Sequence, residues 1–476
     1  MSEEIHSAQP KLKFIPPHFN PWVHYFSYLS LPVLLRLRTR NWLPTGIAKV
    51  EGSNLEVLTE LYHKFQMGKV RFLMAFHHPE VDDPLSIAYL LSRQMPKIAH
   101  QQGISLQNPI HTHFLYDRGM MLWAGNWLGW LFSNLGGVPI RRGKRIDLEC
   151  LRTARDLFVN GKFPIAIAPE GATNGHSGIV SPLESGVAQL GFWCVEDLVK
   201  ANRDETVMIL PMTIKYSYPE QPWDKLNSLL GKLEANSGLS IQNIEVPVTK
   251  NREEIYYQRI LHLAEHLLSQ IEDFYRRFYH QDLPKKFTSE ESANHEEILD
   301  FRLQRLRETA LQVAEKYFGL EPQGSLEKRC RHIEEAAWNY IYREDFPSTE
   351  HLNALPSLQR GLADWVAKEA NLKIRHMRLV ETFVAATTKY VREKPSFERF
   401  AEISLLMFDL LARIREGKIP GRPRLGWRKA HITIGEPISV TERWSNYQSS
   451  RKGAKQAVKD LTQDVQVTLE KLSVDI

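Results

Sequence analysis

The sequence predicts an α/β fold in which helices flank a mostly parallel sheet and a large all-helical insertion interrupts it. Three apolar stretches in the first half are typical of buried strands: Val70–Phe76, Phe163–Ala168 and Val207–Ile214. Helical patterns such as Leu148–Val159 lie between them, and strands that alternate with helices favour a parallel sheet. A further strand, Ala430–Ile434, follows a long helical block. Because an isolated strand needs a sheet to join, we expect it to return to the first sheet.

Composition places the chain among globular proteins. Of its 476 residues, 43% are hydrophobic and 25% are charged, which excludes disordered, collagen-like and coiled-coil architectures. The net charge of +5 is too small to indicate a nucleic-acid partner. Cys150, Cys194 and Cys330 lie far apart, so we expect neither a disulfide framework nor a thiol zinc cluster, and a reducing compartment. The acidic residues Glu3 and Glu4 argue against a secretory signal.

Residues 1–44 are expected to form amphipathic helices at a membrane surface. The uncharged run His18–Leu35 is rich in aromatic residues and turns basic at Arg36, Arg38 and Arg40. Its prolines and histidines argue against a membrane-spanning helix, whereas aromatic side chains beside arginines suit a bilayer interface. The alternative is a helix that packs on the core of its own domain.

Residues 219–424 have a different character. Apolar residues recur there at intervals of three and four, as in amphipathic helices, and we expect about six helices and no strand. The strand Ala430–Ile434 and one last helical pattern follow this block. We therefore expect residues 45–218 and 425–476 to form one α/β domain, with residues 219–424 inserted into it.

A histidine and an aspartate follow the strand Val70–Phe76 with four residues between them. On a regular helix, the five positions from His78 to Asp83 would rotate about 140° off one face, so the two side chains meet only across a turn. Pro79 supports that turn. Pro84 favours a helix that starts there with Asp83 as its N-cap.

The register of this pair is ambiguous, because His77 and Asp82 have the same spacing. Pro84 after Asp83 favours the later pair, His78 with Asp83. A neutral imidazole held by a carboxylate at the carboxyl end of a strand is suited to general base catalysis. A helix cap beside an ordinary loop histidine would give the same pattern.

A basic segment follows at Gly136–Arg145, where four cations fall within five positions among small residues. Arg141 and Arg142 are the first two of them. The segment suits a phosphate, because arginine offers a planar fork for bidentate contact. A solvated basic turn is the alternative.

Two further candidates accompany the second and third predicted strands. Glu170 precedes Gly171 in a turn that also contains Thr173. A carboxylate there can bind substrate hydroxyls or orient a cation; a turn that only leaves the sheet is the alternative. Pro211 lies inside an apolar run, which indicates a strand edge or the wall of a site.

Taken in order, these blocks resemble those of the glycerolipid acyltransferases of the lysophosphatidic-acid acyltransferase type. That family has a histidine-x4-aspartate (HX4D) block, a glycine-rich block ending in arginine, a proline-glutamate-glycine block and a hydrophobic-proline block. The matching segments here are His78–Asp83, GGVPIRR ending at Arg142, Pro169–Gly171, and ILPM around Pro211. The resemblance covers about residues 45–218 and 425–476.

The resemblance implies a glycerol-3-phosphate acyltransferase-like fold. It also implies the transfer of an acyl group from acyl-CoA or acyl carrier protein to a lysophospholipid hydroxyl, with lysophosphatidic acid as the favoured acceptor. His78 would remove the hydroxyl proton and Asp83 would hold its ring. Arg142 would bind the acceptor phosphate, while Glu170 would bind the glycerol or shape the site. The implied substrate-binding residues are Arg141, Arg142, Glu170, Gly171, Thr173 and Pro211.

The same resemblance implies no metal or cofactor, a membrane lipid as partner, and a peripheral location on the cytoplasmic side of a membrane. Glycerol 3-phosphate or another lysolipid is an alternative acceptor. An inert, membrane-associated lipid-binding or scaffold protein is the alternative of another class.

A serine hydrolase is disfavoured because Gly175–Gly178 lacks the second glycine of a nucleophile elbow. A metalloenzyme is disfavoured because the histidines show no ligand-helix pattern.

Two positions depart from the family pattern. His77 stands where the family usually has asparagine, and Ala172–Asn174 stand where its third block often carries an arginine. The second departure leaves open which groups complete the headgroup site, and we expect basic residues among Arg141–Arg145 to compensate.

Overall fold

The computed structural model describes residues 7–141, 147–239, 251–283, 295–382, 387–416 and 421–474. The chain divides into two compact units. The larger unit contains the described residues of 14–219 and those from 427 onwards, and the smaller unit contains residues 7–13 and the described residues of 220–426.

The described residues contain ten strands and eighteen α-helices. The strands are β1 (Gln9–Pro10), β2 (Ile47–Ser53), β3 (Val70–Phe76), β4 (His113–Asp117), β5 (Gly137–Ile140), β6 (Ile165–Ile167), β7 (Thr206–Ser217), β8 (Tyr342–Arg343), β9 (Arg428–Ile434) and β10 (Ile438–Ser439). The helices are α1 (Pro21–Arg36), α2 (Leu55–Gln66), α3 (Asp83–Tyr89), α4 (Met95–Gln101), α5 (Met120–Ala124), α6 (Asn126–Asn134), α7 (Leu148–Asn160), α8 (Gly186–Lys200), α9 (Trp223–Ser237), α10 (Arg252–Tyr279), α11 (His295–Phe318), α12 (Leu326–Ile341), α13 (Thr349–Asn353), α14 (Ser357–Thr382), α15 (Thr388–Glu393), α16 (Phe397–Glu416), α17 (Trp444–Ser449) and α18 (Arg451–Val474).

One sheet organises the larger unit. Its strands follow the order β2-β9-β7-β3-β6-β4-β5, and β10 also pairs with β7. Strand β3 pairs in parallel with β7 and β6, and β4 pairs in parallel with β6 and β5. Strand β9 pairs in parallel with β2, whereas β9 and β10 run antiparallel to β7. The predicted fold class, a mostly parallel α/β sheet with a large helical region, is therefore confirmed.

Helices cover both faces of this sheet, so its central strand is buried on both sides. Successive side chains of β3 point to opposite faces: Phe72 and Met74 pack in one core with α2, while Leu73 packs in a second core with α7, α8 and α18. This double burial is why the sequence VRFLMAF is apolar throughout rather than alternating.

The predicted strands all occur, the first with the predicted bounds and the others with shifted ends. The first is β3, the second shortens to β6, the third lengthens to β7, and Ala430–Ile434 lies within β9, between β2 and β7. Strands β2, β4 and β5 were not predicted. Exposed Lys49 and half-buried Glu51 interrupt the apolar pattern of β2. Strand β5 has only four residues, one of them a proline.

The smaller unit is helical but departs from expectation in two details. The expectation of no strand is wrong for Tyr342–Arg343, which pairs with Gln9–Pro10, because two residues are too few to show a period. Its described residues form eight helices, α9–α16, where about six were expected, because α13 and α15 are only five and six residues long. Buried ion pairs such as Arg329 with Glu315 join its helices.

Helix α1 shows how the N-terminal aromatic run is arranged. Asn20 caps its start by accepting hydrogen bonds from the backbone of Trp22 and Val23, and the helix continues through Pro32. Its buried face contacts its own unit, where the Tyr28 hydroxyl lies 2.6 Å from Nδ1 of His111. Within the described ranges, no helix combines the length and the apolar character needed to cross a membrane.

Candidate active site

The candidate residues lie where parallel strands end. His77 and His78 follow β3, and Glu170 comes three residues after β6. Arg118 follows β4 directly, and Arg141 follows β5. Because the carboxyl ends of parallel strands meet at one edge of a sheet, these side chains share the edge at which α/β proteins bind ligands.

His78 and Asp83 are in contact across the predicted turn. Nδ1 of His78 lies 2.8 Å from Oδ2 of Asp83, whose side chain is completely buried, while that of His78 is 20% exposed. The same carboxylate oxygen accepts a hydrogen bond of 2.9 Å from the backbone N–H of Glu80, which closes the turn. Since the carboxylate accepts a hydrogen bond from Nδ1–H, Nε2 is the nitrogen of a neutral His78 ring that can accept a proton.

A buried tyrosine holds the second oxygen of Asp83. The hydroxyl of Tyr216, on β7, donates to Oδ1 of Asp83 at 2.6 Å. Burial raises the pKa of Asp83, and the hydrogen bonds from His78 and Tyr216 oppose that rise. Burial also raises the pKa of Tyr216 well above its ordinary value, so its phenol is a neutral donor.

The prediction that Asp83 is the N-cap of α3 is wrong by one residue. The helix begins at Asp83, and Asp82 occupies the N-cap position without a side-chain capping bond. The carboxylate of Asp83 bonds backwards, to the N–H of Glu80 and to His78, rather than forwards to the first turn of the helix.

The preceding histidine, His77, has its own carboxylate partner. Its Nδ1 lies 2.8 Å from Oε1 of Glu170, and its Nε2 lies 3.1 Å from the carbonyl oxygen of His176. A carbonyl oxygen and a carboxylate can only accept, so both ring nitrogens donate and the ring is an imidazolium. Burial opposes that charge, but Glu170, Asp83 and the carbonyl of His176 together outweigh burial and raise the pKa of His77.

Glu170 receives four donors on its two oxygens. Oε1 accepts from His77 and, at 2.9 Å, from the backbone N–H of His78; Oε2 accepts from Asn174 at 3.1 Å and from the backbone N–H of Ser181 at 2.8 Å. Burial opposes the charge of Glu170, but its partners prevail and lower its pKa. Of the two roles implied for Glu170, shaping the site fits this geometry, because its side chain is fully enclosed.

Gly171 and Thr173 are the remaining candidates in the third block. Gly171 has a φ of +76°, a conformation that favours glycine, and its N–H closes a turn on the carbonyl of Ala168 at 3.2 Å. Thr173 is exposed, whereas the carboxylate of Asp83 is completely buried.

Pro211 lies within the sheet. The prediction of a strand edge is wrong, because β7 has neighbours on both sides, β3 and the pair β9 and β10. The proline is tolerated because it lies where the antiparallel partner of β7 changes from β10 to β9. Ile209 pairs with Ile438 of β10, and Met212 pairs with Ile434 of β9. Its carbonyl accepts from Gly435 at 2.9 Å.

The basic segment is described as far as Arg141; Arg142 lies outside the described residues. Asp147 joins this segment to Arg118, accepting from Nη2 of Arg118 at 2.8 Å and from the backbone N–H of Arg141 at 2.9 Å on the same oxygen, Oδ2. The side chain of Arg118 and the backbone of Arg141 therefore share one carboxylate oxygen at the ends of β4 and β5.

Sequence reasoning missed Arg118, Tyr216 and Arg428. Arg118 had a usable signal, since a cation directly follows the short apolar stretch that forms β4. Tyr216 and Arg428 had none, because each contacts the histidine-aspartate turn from a position more than a hundred residues away, 133 and 346 residues along the chain.

The residues of the two rival sites, a metal centre and a serine nucleophile, are engaged in the fold itself. Within the part of the chain that the structure describes, no cluster of three or more His, Cys, Asp or Glu side chains is arranged to hold a metal ion. His111 and His113 instead bond to backbone carbonyls of Leu135 and Gly136. Ser177 is buried, and its hydroxyl accepts from the backbone of Tyr216 at 3.3 Å.

Comparison with known proteins gives a family match in the first half of the chain. Residues 49–215 match the family model described as Acyltransferase, a span that includes His78, Asp83 and Glu170. Neither the curated proteins nor the solved structures gave a match to the chain. The chain therefore contains an acyltransferase-family domain over residues 49–215, and acyl transfer is the general activity that this domain supports.

Proposed function

We propose that the protein transfers a fatty acyl group from an acyl thioester, either acyl-CoA or acyl carrier protein, to a hydroxyl of a lysophospholipid, with lysophosphatidic acid as the favoured acceptor. The contact between His78 and Asp83 is the observation that carries this proposal. It supplies a partly exposed imidazole whose free nitrogen can accept a proton, next to a buried carboxylate that accepts from the other nitrogen.

In this mechanism, Nε2 of His78 takes the proton of the acceptor hydroxyl while the hydroxyl oxygen attacks the thioester carbonyl carbon. The new C–O bond forms, the C–S bond breaks, and the leaving sulfur receives the proton from His78. Asp83 stabilises the imidazolium that exists in between. A base of this kind contributes about 10²- to 10⁴-fold in rate, and no acyl-enzyme is needed.

Arg118 is our candidate for the acceptor phosphate, together with Arg141. With neighbouring strands about 4.8 Å apart, β4 lies about 10 Å from β3 in the order β3-β6-β4-β5, and β5 lies about 14 Å away. The backbone of Arg118 therefore lies closer to His78 than the backbone of Arg141 does. Arg142, implied by the family resemblance, stays a prediction from sequence.

An acceptor panel tests this proposal. Wild-type protein should acylate lysophosphatidic acid faster than monoacylglycerol, which lacks the phosphate. Arg118→Gln should raise KM for lysophosphatidic acid about tenfold or more, as expected for a lost charge-assisted hydrogen bond, and leave KM for the thioester unchanged. Initial rates with acyl-CoA and acyl carrier protein donors provide the measurement.

Lys69→Ala is the matched control, because Lys69 is exposed and lies at the opposite, amino end of β3. Equal effects of Arg118→Gln and Lys69→Ala would contradict the phosphate role. Wild-type protein that binds lipid but transfers no acyl group from either donor would favour the inert lipid-binding alternative.

We also propose that the protein lies peripherally on a membrane surface, on its cytoplasmic side, by way of α1. Trp22, Phe26, Leu29 and Val33 project from α1 with 55–72% of each side chain exposed. Trp130 of α6 is 58% exposed, and the guanidinium of Arg40 lies 5.0 Å from the ring centroid of Trp127. Exposed aromatic rings beside arginines are typical of segments at the bilayer interface.

Vesicle binding tests this surface. Sedimentation with lipid vesicles should increase with their anionic lipid content, by about 1 kcal/mol for each arginine engaged. The double variant Trp22→Ser, Phe26→Ser should bind anionic vesicles much more weakly, since both side chains are largely exposed on α1. Trp365→Ser removes a similarly exposed tryptophan from α14 and should bind as wild type does; binding that ignores lipid charge would contradict the proposal.

A further inference from the structure

Arg428 lies outside the acyltransferase-family span and yet reaches the residue that precedes Asp83. It is the first residue of β9. Its Nη2 lies 2.5 Å from Oδ2 of Asp82 and donates to the carbonyl of Thr45 at 2.9 Å. The side chain of Asp82 is completely buried and that of Arg428 is 6% exposed, so this ion pair is shielded from water.

Arg428 also contacts the tyrosine that holds Asp83. Its guanidinium carbon lies 4.5 Å from the ring centroid of Tyr216. The hydroxyl of Tyr216 donates to Asp83 at 2.6 Å and lies 3.4 Å from Oδ1 of Asp82. One arginine thus contacts both groups that stand next to the carboxylate of Asp83.

This arrangement brings two buried carboxylates to one phenol. Neighbouring carboxylates repel each other, and a second carboxylate without a counter-charge would add its negative charge to that of Asp83 at the ring of His78. Arg428 supplies the counter-charge to Asp82 at the shorter distance, while Oε1 of Glu80 lies 3.9 Å from its Nη1. The other charged or titratable groups that face this cluster are His77, His78, Glu170 and Tyr218.

We infer that Arg428 is a positioning residue for acyl transfer: it compensates the charge of Asp82, so that His78 experiences the negative charge of one carboxylate, that of Asp83. The inference rests on the proposed role of His78. It also means that the family-matched span lacks one part of its active site, which strand β9 supplies from beyond residues 220–426.

A charge cycle tests the inference. The profile of kcat/KM against pH is measured for wild type, Arg428→Gln, Asp82→Asn and the double variant. In Arg428→Gln the uncompensated Asp82 favours the imidazolium of His78, so the acidic limb should move up by about one pH unit. In Asp82→Asn the uncompensated arginine should move it down by a similar amount. The double variant should return close to wild type.

Arg329→Gln is the matched control, because Arg329 is equally buried and pairs with Glu315 in the smaller unit. It should leave the acidic limb in place. Arg428→Lys keeps the charge and should keep the wild-type profile. If Arg428→Gln does not fold, the downward shift expected of Asp82→Asn still decides the question.

A second measurement does not depend on substrate. With ¹³C-labelled histidine, NMR follows the titration of the His78 ring, assigned by its absence from His78→Gln. The same pattern of shifts among the four proteins supports the charge compensation even if no acyl transfer occurs, in which case only the proposed function fails. A His78 titration that is unchanged in both Arg428→Gln and Asp82→Asn would overturn the inference.

Discussion

Replacing Asp83 with asparagine is expected to lower kcat for acyl transfer by about 10²- to 10⁴-fold with little change in KM. The amide can still fill the space between His78 and Tyr216, and it can still accept one hydrogen bond. It cannot supply the negative charge that stabilises the imidazolium of His78 during transfer. The loss therefore falls on the transition state rather than on substrate binding.

Steady-state kinetics with a thioester donor and lysophosphatidic acid would measure this loss. Asp409→Asn serves as the control, because Asp409 is a largely buried carboxylate paired with Arg422 in the smaller unit. It should leave kcat unchanged. An Asp83→Asn protein that folds and turns over at the wild-type rate would remove Asp83 from the mechanism.

Glu170→Gln is expected to lower the free energy of unfolding by about 3–5 kcal/mol, the typical cost of breaking a buried ion pair. All four hydrogen bonds at Glu170 come from donors. A glutamine amide would point its own donors at two of them in either orientation. The imidazolium of His77 would also lose its counter-charge.

This loss should depend on pH in a defined way. The lowered pKa of Glu170 stabilises the fold above its ordinary value of about 4.5, and the effect is lost as the pH falls through the folded value. The raised pKa of His77 stabilises the fold below its ordinary value of about 6.5, and the effect is lost as the pH rises through the folded value. The free energy of unfolding of the wild type should therefore exceed that of Glu170→Gln by the largest amount between about pH 4.5 and 6.5.

Denaturant unfolding of both proteins at about pH 5.5 and about pH 9 would reveal this window. Asp197→Asn is a control within the same unit, since Asp197 pairs with Arg155 and the pair contains no histidine. Asp197→Asn should lower the free energy of unfolding by a smaller amount, and that amount should not decrease as the pH rises. A Glu170→Gln effect that is equal at both pH values would contradict an imidazolium at His77.

The sequence was informative where a local pattern determines the structure. The apolar run Val70–Phe76 predicts β3 because a strand that is buried on both faces is apolar at successive positions. The prolines on either side of the acidic turn predicted that His78 meets Asp83, and the structure shows that contact. Neither result needed knowledge of distant residues.

The partners of this turn could not be predicted, because they come from other strands. His77 has the same spacing to Asp82 as His78 has to Asp83, and its partner, Glu170 after β6, could not be read from that turn. Arg428 reaches Asp82 because β9 joins the sheet beside β7 after a helical unit of its own. Sheet order, rather than any nearby pattern, decides both contacts.

The role of His78 as the base is tested by the single-turnover rate of acyl transfer in wild-type protein and in His78→Gln, with saturating donor and acceptor. If the free nitrogen of His78 removes the hydroxyl proton, the variant should fold normally and transfer the acyl group at least about 100-fold more slowly. Equal rates in the two proteins would exclude His78 as that base.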